Sequence, residues 1–222
     1  GRIATIHDMV PFVHPETPAR LTNILFHKYM PKTVRHVDRI ITDSESSKRD
    51  IERFFSVDPL VIARIYCGIG QQFRPQTPKT IADVCLKYDI RAPYILAVGA
   101  LQARKNMEAV IEAYARLRNR DFPHRLVLVG PRGWKSQGIF QRIDQLGLNE
   151  HVQLTGFVDD RDLPAVYAGA ECFVFPSLYE GFGFPPLEAL ATGTPAIVSD
   201  LPVFKETMGD AALTVPLDNP AA

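Results

Sequence analysis

Cysteine is scarce in this sequence. Cys67, Cys85 and Cys172 are odd in number and show no C-x-x-C or Cys/His spacing. That excludes a disulfide framework and a structural zinc site, and it fits free thiols in a reducing compartment. An excess of either charge is also missing: 25 Lys+Arg stand against 25 Asp+Glu. A general nucleic-acid binder normally carries a basic surplus, so no nucleic-acid partner is expected. No apolar run approaches the roughly 20 residues needed to span a bilayer. No solenoid-period repeat, low-complexity tract or signal-peptide pattern is present. The chain opens on Gly1-Arg2-Ile3-Ala4-Thr5-Ile6, which reads as a strand already under way. The expectation is a fragment or a partly ordered chain. What is present is ordinary globular material: 222 residues, 46% hydrophobic and 23% charged. That excludes a disordered or fibrous chain and allows one large or two modest domains.

Strand-like and helix-like runs alternate. Ile3–Ile6 reads as strand and Ala19–Val37 as helix, interrupted at Pro31. Arg39–Thr42 reads as a buried strand, and a helix carrying Ile51, Phe54 and Phe55 follows a weak start at Ser47/Asp50. Val61–Tyr66 reads as a further strand, and Gly68, Gly70, Pro75 and Pro78 mark a linker. Apolar runs at Tyr94–Val98, Leu126–Val129, Val152–Leu154, Cys172–Phe175 and Ala196–Val198 then alternate with helical patterns. Those patterns are Met107–Leu117, Ile139–Leu146 ending at Gly147, Leu163–Ala168 and Pro185–Ala191. Strands apolar throughout, separated by amphipathic helices, imply a parallel sheet covered on both faces. The fold class is therefore α/β, with two Rossmann-like doubly wound units, the first incomplete. The domain reading is residues 1–70, a linker over 71–92, and a second unit over 93–222. Ligands of such sheets bind beyond the carboxyl ends of the strands. That directs attention to His7-Asp8, Gly99–Asn106, Gly130–Trp134, Gly156–Asp162 and Ser177–Glu188.

Two of these segments carry chemistry. In Phe175–Glu188 a buried strand gives way to a turn with Gly181 and Gly183, and a helix opens at Pro185-Pro186. Glycines permit close backbone approach and proline suits a first helical turn. A fresh helix N-terminus attracts phosphate. Glu180 and Glu188, the latter placed about the first turn of the helix, are carboxylates beside an anion site. There they suit directional hydrogen bonds to ribose or sugar hydroxyls. The plainer reading is a loop charge and a helix-dipole charge. In Gly99–Asn106, adjacent Arg104 and Lys105 at the mouth of a crevice suit a diphosphate, one as a fork and one as a point charge. The plainer reading there is a solvated turn with Asn106 as helix cap. Asp159-Asp160-Arg161-Asp162 is read as helix-capping rather than metal-binding. Arg20, Lys28, Lys32, Arg35 and Arg39 face a single acid, Asp38. That segment is read as a solvated helix face, with peripheral contact to an anionic membrane as the alternative.

The ordered set of motifs resembles the retaining glycosyltransferases of family 4, the group 1 glycosyltransferases with the GT-B fold. The resemblance rests on Glu180-x7-Glu188, Gly99…Arg104-Lys105-Asn106, Leu126–Gly130 and Thr155-Gly156-Phe157-Val158. Arg39–Ser44 with Ser47–Asp50, and His7-Asp8…Pro11, also match. It covers nearly the whole chain in the family's order. The resemblance implies that Arg104 and Lys105 hold the donor diphosphate, Glu188 the ribose and Glu180 the donor sugar. Gly99, Gly181, Phe182, Gly183, Phe184 and Leu187 would line the phosphate and sugar pocket. His7 would reach the donor sugar from the first domain, with a tautomer that the adjacent Asp8 can fix.

The implied activity is hexosyl transfer from a nucleotide-diphosphate sugar to a glycan or lipid-linked acceptor, with retention. GDP-mannose is the first expectation for the donor and a UDP- or dTDP-sugar the next. No cofactor or metal is expected, because Arg104, Lys105 and a helix N-terminus can absorb the leaving-group charge. The setting is expected to be cytoplasmic, at or near the inner membrane face. The rival readings are a sugar-nucleotide epimerase on the same fold and a donor-binding fragment without turnover. Two positions depart from the family pattern: Cys67-Gly68-Ile69-Gly70 in the linker, and Lys205-Glu206 where Pro-Glu is usual.

Overall fold

A computed structural model describes residues 1–17, 20–118, 120, 122–131, 133 and 137–217. Of the segments singled out in the sequence, Ala19 and, within Gly130–Trp134, Arg132 and Trp134 lie outside the described residues. The chain divides into two compact units. The first comprises 1–68, 179–183 and 201–209; the second comprises 69–178, 184–200 and 210–222.

In the first unit, β1 (Ile3–Thr5), β2 (Arg39–Thr42) and β3 (Ile62–Arg64) form a parallel sheet in the order β1-β2-β3. Between them lie α1 (Val10–Val13), α2 (Arg20–His36) and α3 (Glu45–Phe55). Ile6, Met9, Val34, Ile40, Ile51 and Ile62 make the core. Helix α3 starts at Glu45, because Ser44 is extended and its hydroxyl accepts from the Ser47 amide at 2.9 Å. Ser44 is thus the N-cap and Ser47 lies one turn in, which corrects the weaker start read at Ser47. Helix α2 runs through Pro31 without interruption. One missing N–H removes a single i→i−4 bond, and the inward residues around it still pack. The strand read over Val61–Tyr66 is shorter, because Pro59–Val61 closes into a 3-10 turn capped by Asp58.

In the second unit, α4 (Pro78–Lys87) lies within the segment 71–92. Its N-cap Thr77 accepts from the Thr80 amide. After it come β4 (Tyr94–Val98), α5 (Met107–Arg118), β5 (Arg125–Val129), α6 (Gln137–Gln145) and β6 (Val152–Gly156). Then follow α7 (Leu163–Ala168), β7 (Cys172–Phe175), α8 (Phe184–Ala191) and β8 (Ala196–Ser199). Helix α9 (Pro202–Met208) belongs to the first unit, and β9 (Leu213–Val215) completes the second sheet. All six strands are parallel, in the order β6-β5-β4-β7-β8-β9. Tyr94, Leu96, Ala97, Leu126, Val127 and Phe173 have no exposed surface. Strands buried on both faces are apolar at consecutive positions, which is why they read as continuous runs.

The strand order fixes where a ligand can bind. From β4 the chain builds outward to β5 and β6, then returns to place β7 on the other side of β4. The carboxyl ends of β4 and β7 therefore flank the topological switch point, where neighbouring loops leave in opposite directions and open a crevice. No helix among the described residues is long and apolar enough to cross a membrane.

Candidate functional site

In the second unit, both segments that leave the switch point carry candidate residues. Beyond β4, Gly99 has φ +149° and Gly130, beyond β5, has φ +144°. A Cβ on Gly130 would lie 2.1 Å from the Gly99 carbonyl oxygen. Only glycine allows these two turns to lie together. Ala103–Lys105 then form a single 3-10 turn, which ends at Asn106 in the left-handed region at φ 54°. Asn tolerates that conformation, and α5 starts at the next residue. The Arg104 carbonyl accepts from the Leu178 amide at 2.9 Å, which ties the turn beyond β4 to the chain leaving β7. Lys105 Nζ lies 4.6 Å from the centroid of the Phe175 ring, the last residue of β7. The turn that bears both cations is thereby tied to the crevice, and both residues are half-buried. Two cations at this mouth can neutralise a diphosphate.

Beyond β7 the chain reaches α8, which opens at Phe184 with Pro185 and Pro186 in its first turn. Glu188 is the fifth residue of α8, so it stands in the second turn rather than the first. Its distance from the N-terminus takes it out of the dipole-complement role. A hydrogen bond fixes it instead: the Tyr167 hydroxyl donates to Glu188 Oε2 at 2.9 Å. Burial raises the Glu188 carboxyl above the ordinary carboxylate range. The Tyr167 hydrogen bond opposes that rise and the charge of Asp160 adds to it. Tyr167 itself has no exposed surface, and burial with the facing Glu188 pushes its phenol well up, so it remains a donor. One Glu188 oxygen is thus engaged by the protein, an arrangement that orients the carboxylate for hydroxyl recognition. Leu187 is half-buried and Phe184 exposed on the same short helix.

In the first unit, His7 and Asp43 stand side by side for a reason that lies in the register. Parallel pairing matches Ile3 to Arg39 and Thr5 to Ile41, an offset that carries His7 to Asp43 just beyond the strands. His7 Nδ1 lies 2.7 Å from Asp43 Oδ2, with the imidazole largely exposed and the carboxylate nearly buried. A hydrogen on Nδ1 directed at Asp43 leaves Nε2 facing outward. The expected partner, Asp8, does not orient the ring: its carboxylate accepts the Val10 amide at the start of α1.

Segment 179–183 belongs to this first unit and carries Glu180, Gly181, Phe182 and Gly183. The Tyr179 hydroxyl donates to Asp50 Oδ2 at 2.7 Å and accepts the Met9 amide at 3.2 Å. The Gly181 carbonyl accepts from Ser44 Oγ at 2.6 Å and from Ser47 Oγ at 3.2 Å. A Cβ at Gly181 would sit 2.6 Å from the His7 carbonyl, so the close approach needs glycine. Phe182 is buried, Gly183 adopts φ +94°, and Glu180 is half-buried. Glu206 holds the neighbouring helix start, accepting the amides of Glu45 at 2.6 Å and Ser46 at 3.0 Å.

In the acidic run, Asp159 and Asp162 pair with cations, and the Asp159 carboxylate also accepts the Arg161 amide just before α7. Asp159 is held well below the usual carboxylate range by the Arg161 guanidinium and amide. Asp162 precedes α7 without capping it. It accepts from Lys87 Nζ at 2.6 Å and from the Tyr88 hydroxyl at 2.8 Å. Among the described residues no group of His, Cys, Asp and Glu is arranged to hold a metal. An apolar groove of about 590 Å³ lies between α5 and the strands, lined by residues such as Ile95, Val174, Ile197 and Leu213. None of the donor-site candidates lines it, so it is not the anion site.

Asp43, Tyr167, Tyr179 and Glu206 are not among the site residues read from the sequence. Two of them had a signal there: Asp43 is a carboxylate directly after a buried strand, and Glu206 stands at the family's Pro-Glu position.

Residues 87–221 match the family described as Glycosyl transferases group 1, and residues 2–72 match Glycosyltransferase Family 4. O-antigen chain mannosyltransferase B of Escherichia coli is 32% identical over 215 residues, which cover 95% of this chain and 56% of that protein. O-antigen chain mannosyltransferase RfbU of Salmonella typhimurium is 30% identical over 215 residues, 97% of this chain and 56% of that protein. The chain thus spans little more than half the length of these relatives. Among solved structures, Anabaena HepE in complex with UDP and glucose superposes with a TM-score of 0.79 at 20% identity, over 96% of this chain and 57% of that one. That likeness shows the fold, a GT-B type built from Rossmann-like units. With a family match over more than half its length, the chain belongs to the group 1 glycosyltransferases.

Proposed function

We propose that the protein transfers a hexose from a nucleotide-diphosphate sugar to a hydroxyl of a glycan or lipid-linked acceptor. The observation that carries this reading is the β4/β7 switch point of the second unit. There the turn bearing Arg104 and Lys105 is tied to the chain leaving β7, and α8 carries its oriented Glu188. Arg104 and Lys105 bind the diphosphate, and Glu188 accepts hydrogen bonds from the ribose hydroxyls. Gly99, Gly181, Phe182, Gly183, Phe184 and Leu187 shape the phosphate and sugar pocket. Glu180 binds the donor sugar, and His7 offers Nε2 to a sugar hydroxyl while Asp43 holds the ring.

In the reaction the anomeric carbon–oxygen bond to the diphosphate breaks, and a bond to the acceptor oxygen forms on the same face. Attack on that face retains the anomeric configuration, and the acceptor proton passes to the departing phosphate oxygen. Arg104 and Lys105 stabilise the charge that develops on the diphosphate, which is the role a metal plays in other transferases. The names of the O-antigen mannosyltransferases support GDP-mannose as donor. The fold neighbour in complex with UDP and glucose keeps a UDP-sugar as the next choice. Three free cysteines suit a cytoplasmic setting.

The test is product analysis with the protein that carries this chain, GDP-α-mannose and a mannoside acceptor. An α-linked product by NMR supports the reading. A β-linked product would contradict retention, and release of free epimerised sugar nucleotide would favour an epimerase.

A further inference from the structure

Within the first unit, two hydroxyls bracket both His7 and Glu180. Tyr179, the residue before Glu180, donates to Asp50 Oδ2 on α3 at 2.7 Å and accepts the Met9 amide at 3.2 Å. Met9 stands two residues after His7. The Ser47 hydroxyl, one turn into α3, is shared between the His7 carbonyl at 3.1 Å and the Gly181 carbonyl at 3.2 Å. Gly181 is the residue after Glu180. One phenol and one serine therefore join the same two chain segments on either side of both candidates. Those segments lie 170 positions apart in sequence at Met9 and Tyr179. All of these residues belong to the first unit.

Packing alone does not ask for this chemistry. The Tyr179 ring lies against the core that holds Ile6, Met9 and Ile51, and a phenylalanine would fill the same place. A buried hydroxyl costs free energy unless it is partnered, and this one is partnered twice. Burial, with Asp50 beside it, pushes the phenol well up, so it keeps its proton and remains a donor. We infer that Tyr179 and Ser47 are positioning residues, which hold His7 and Glu180 as one preassembled pair for the sugar-transfer step. The inference rests on the transferase reading. Asp43 sets the direction of the His7 ring, whereas Tyr179 and Ser47 set where the His7 backbone stands beside Glu180. Nucleotide capture falls to Arg104, Lys105 and Glu188 of the second unit, where neither hydroxyl stands. A misplacement of about 1 Å can cost about 100-fold in rate, so losing either hydroxyl shows in turnover and not in nucleotide affinity.

The experiment uses the protein that carries this chain, as parent, Tyr179→Phe and Ser47→Ala. It measures mannosyl transfer from GDP-α-mannose to a mannoside acceptor, and calorimetric titration with GDP. Each variant should lower kcat about tenfold or more and bind GDP with the parent's affinity. In a His7→Ala background, Tyr179→Phe should cost less than it does in the parent, because part of its effect runs through the side chain already removed. Circular dichroism melts establish that each variant is folded at the assay temperature. The two hydroxyls sit on different elements, so if one variant unfolds the other still decides. A merely structural pair would lower the melting temperature and leave the kcat of the folded protein unchanged. That result, full additivity with His7→Ala, or a loss of GDP affinity in either variant would overturn the inference. A parent that transfers no sugar would overturn the transferase reading itself, and the role assigned here would fall with it.

Discussion

The Tyr167 hydroxyl donates to Glu188 Oε2 at 2.9 Å from a phenol with no exposed surface. A donor this deeply buried has no solvent to turn to, so it fixes the carboxylate of α8 in one orientation. The residue that recognises ribose in the proposed function is thus aimed from α7, across the face of the second sheet.

Removing that hydroxyl separates positioning from packing. Tyr167→Phe keeps the ring and should lower nucleotide-diphosphate affinity by about tenfold, the worth of one hydrogen bond to a charged group. It also withdraws the hydrogen bond that holds the Glu188 carboxyl down against burial. The affinity, which needs ionised Glu188, should therefore fall away at a higher pH in the variant than in the parent. Titration calorimetry across the acid range reads both effects. A merely structural Tyr167 would lower stability and leave the pH profile in place.

His7 depends on Asp43 in the same way. Asp43→Asn should leave nucleotide binding by the second unit unchanged and lower the transfer rate about tenfold or more. His7→Ala in the same background should add little, because ring and orienter act as one unit. Full activity in Asp43→Asn would mean that the ring needs no orienter.

Ser44 serves two masters, capping α3 through the Ser47 amide and donating to the Gly181 carbonyl. Ser44→Ala leaves a buried carbonyl with a weakened partner and the helix uncapped. A loss of about 2 kcal/mol in urea denaturation is expected, with an unchanged slope.

Asp162 and Glu188 contribute to the pH dependence of stability with opposite signs. The folded Asp162 carboxyl is lowered by Lys87 and Tyr88. Its contribution is present above the unfolded pKa and is lost as pH falls through the folded value. Glu188 is raised, so its contribution is complete below the unfolded pKa and is lost as pH rises through the folded value. Asp162→Asn should therefore flatten the loss of stability on the acid side. Glu188→Gln should remove the decline on the rising side.

The second sheet was legible because its strands are apolar at every position, and a buried strand flanked by glycine has few other readings. Helix α7 over Leu163–Ala168 was read with its exact bounds. The helix Pro78–Lys87 was hidden by the Gly and Pro residues before it, which resemble a linker until Thr77 is seen to cap it. Pro31 misled because proline breaks a helix only when the lost bond matters more than the packing around it. Arg104, Lys105 and Glu188 were legible as residue types at strand ends. Their supports were not: Tyr167 lies 21 positions from Glu188, and Asp43 lies 36 from His7. Such pairings are set by sheet order and register, which a local pattern does not contain.

The most direct measurement is calorimetric titration of this chain with GDP, UDP and dTDP, with and without magnesium, beside Arg104→Ala and Lys105→Ala. The account predicts binding of one diphosphate nucleotide, GDP first, indifferent to magnesium. Each substitution should weaken it by about tenfold or more. Binding that requires magnesium, or that survives both substitutions unchanged, would contradict a diphosphate site built by these two cations.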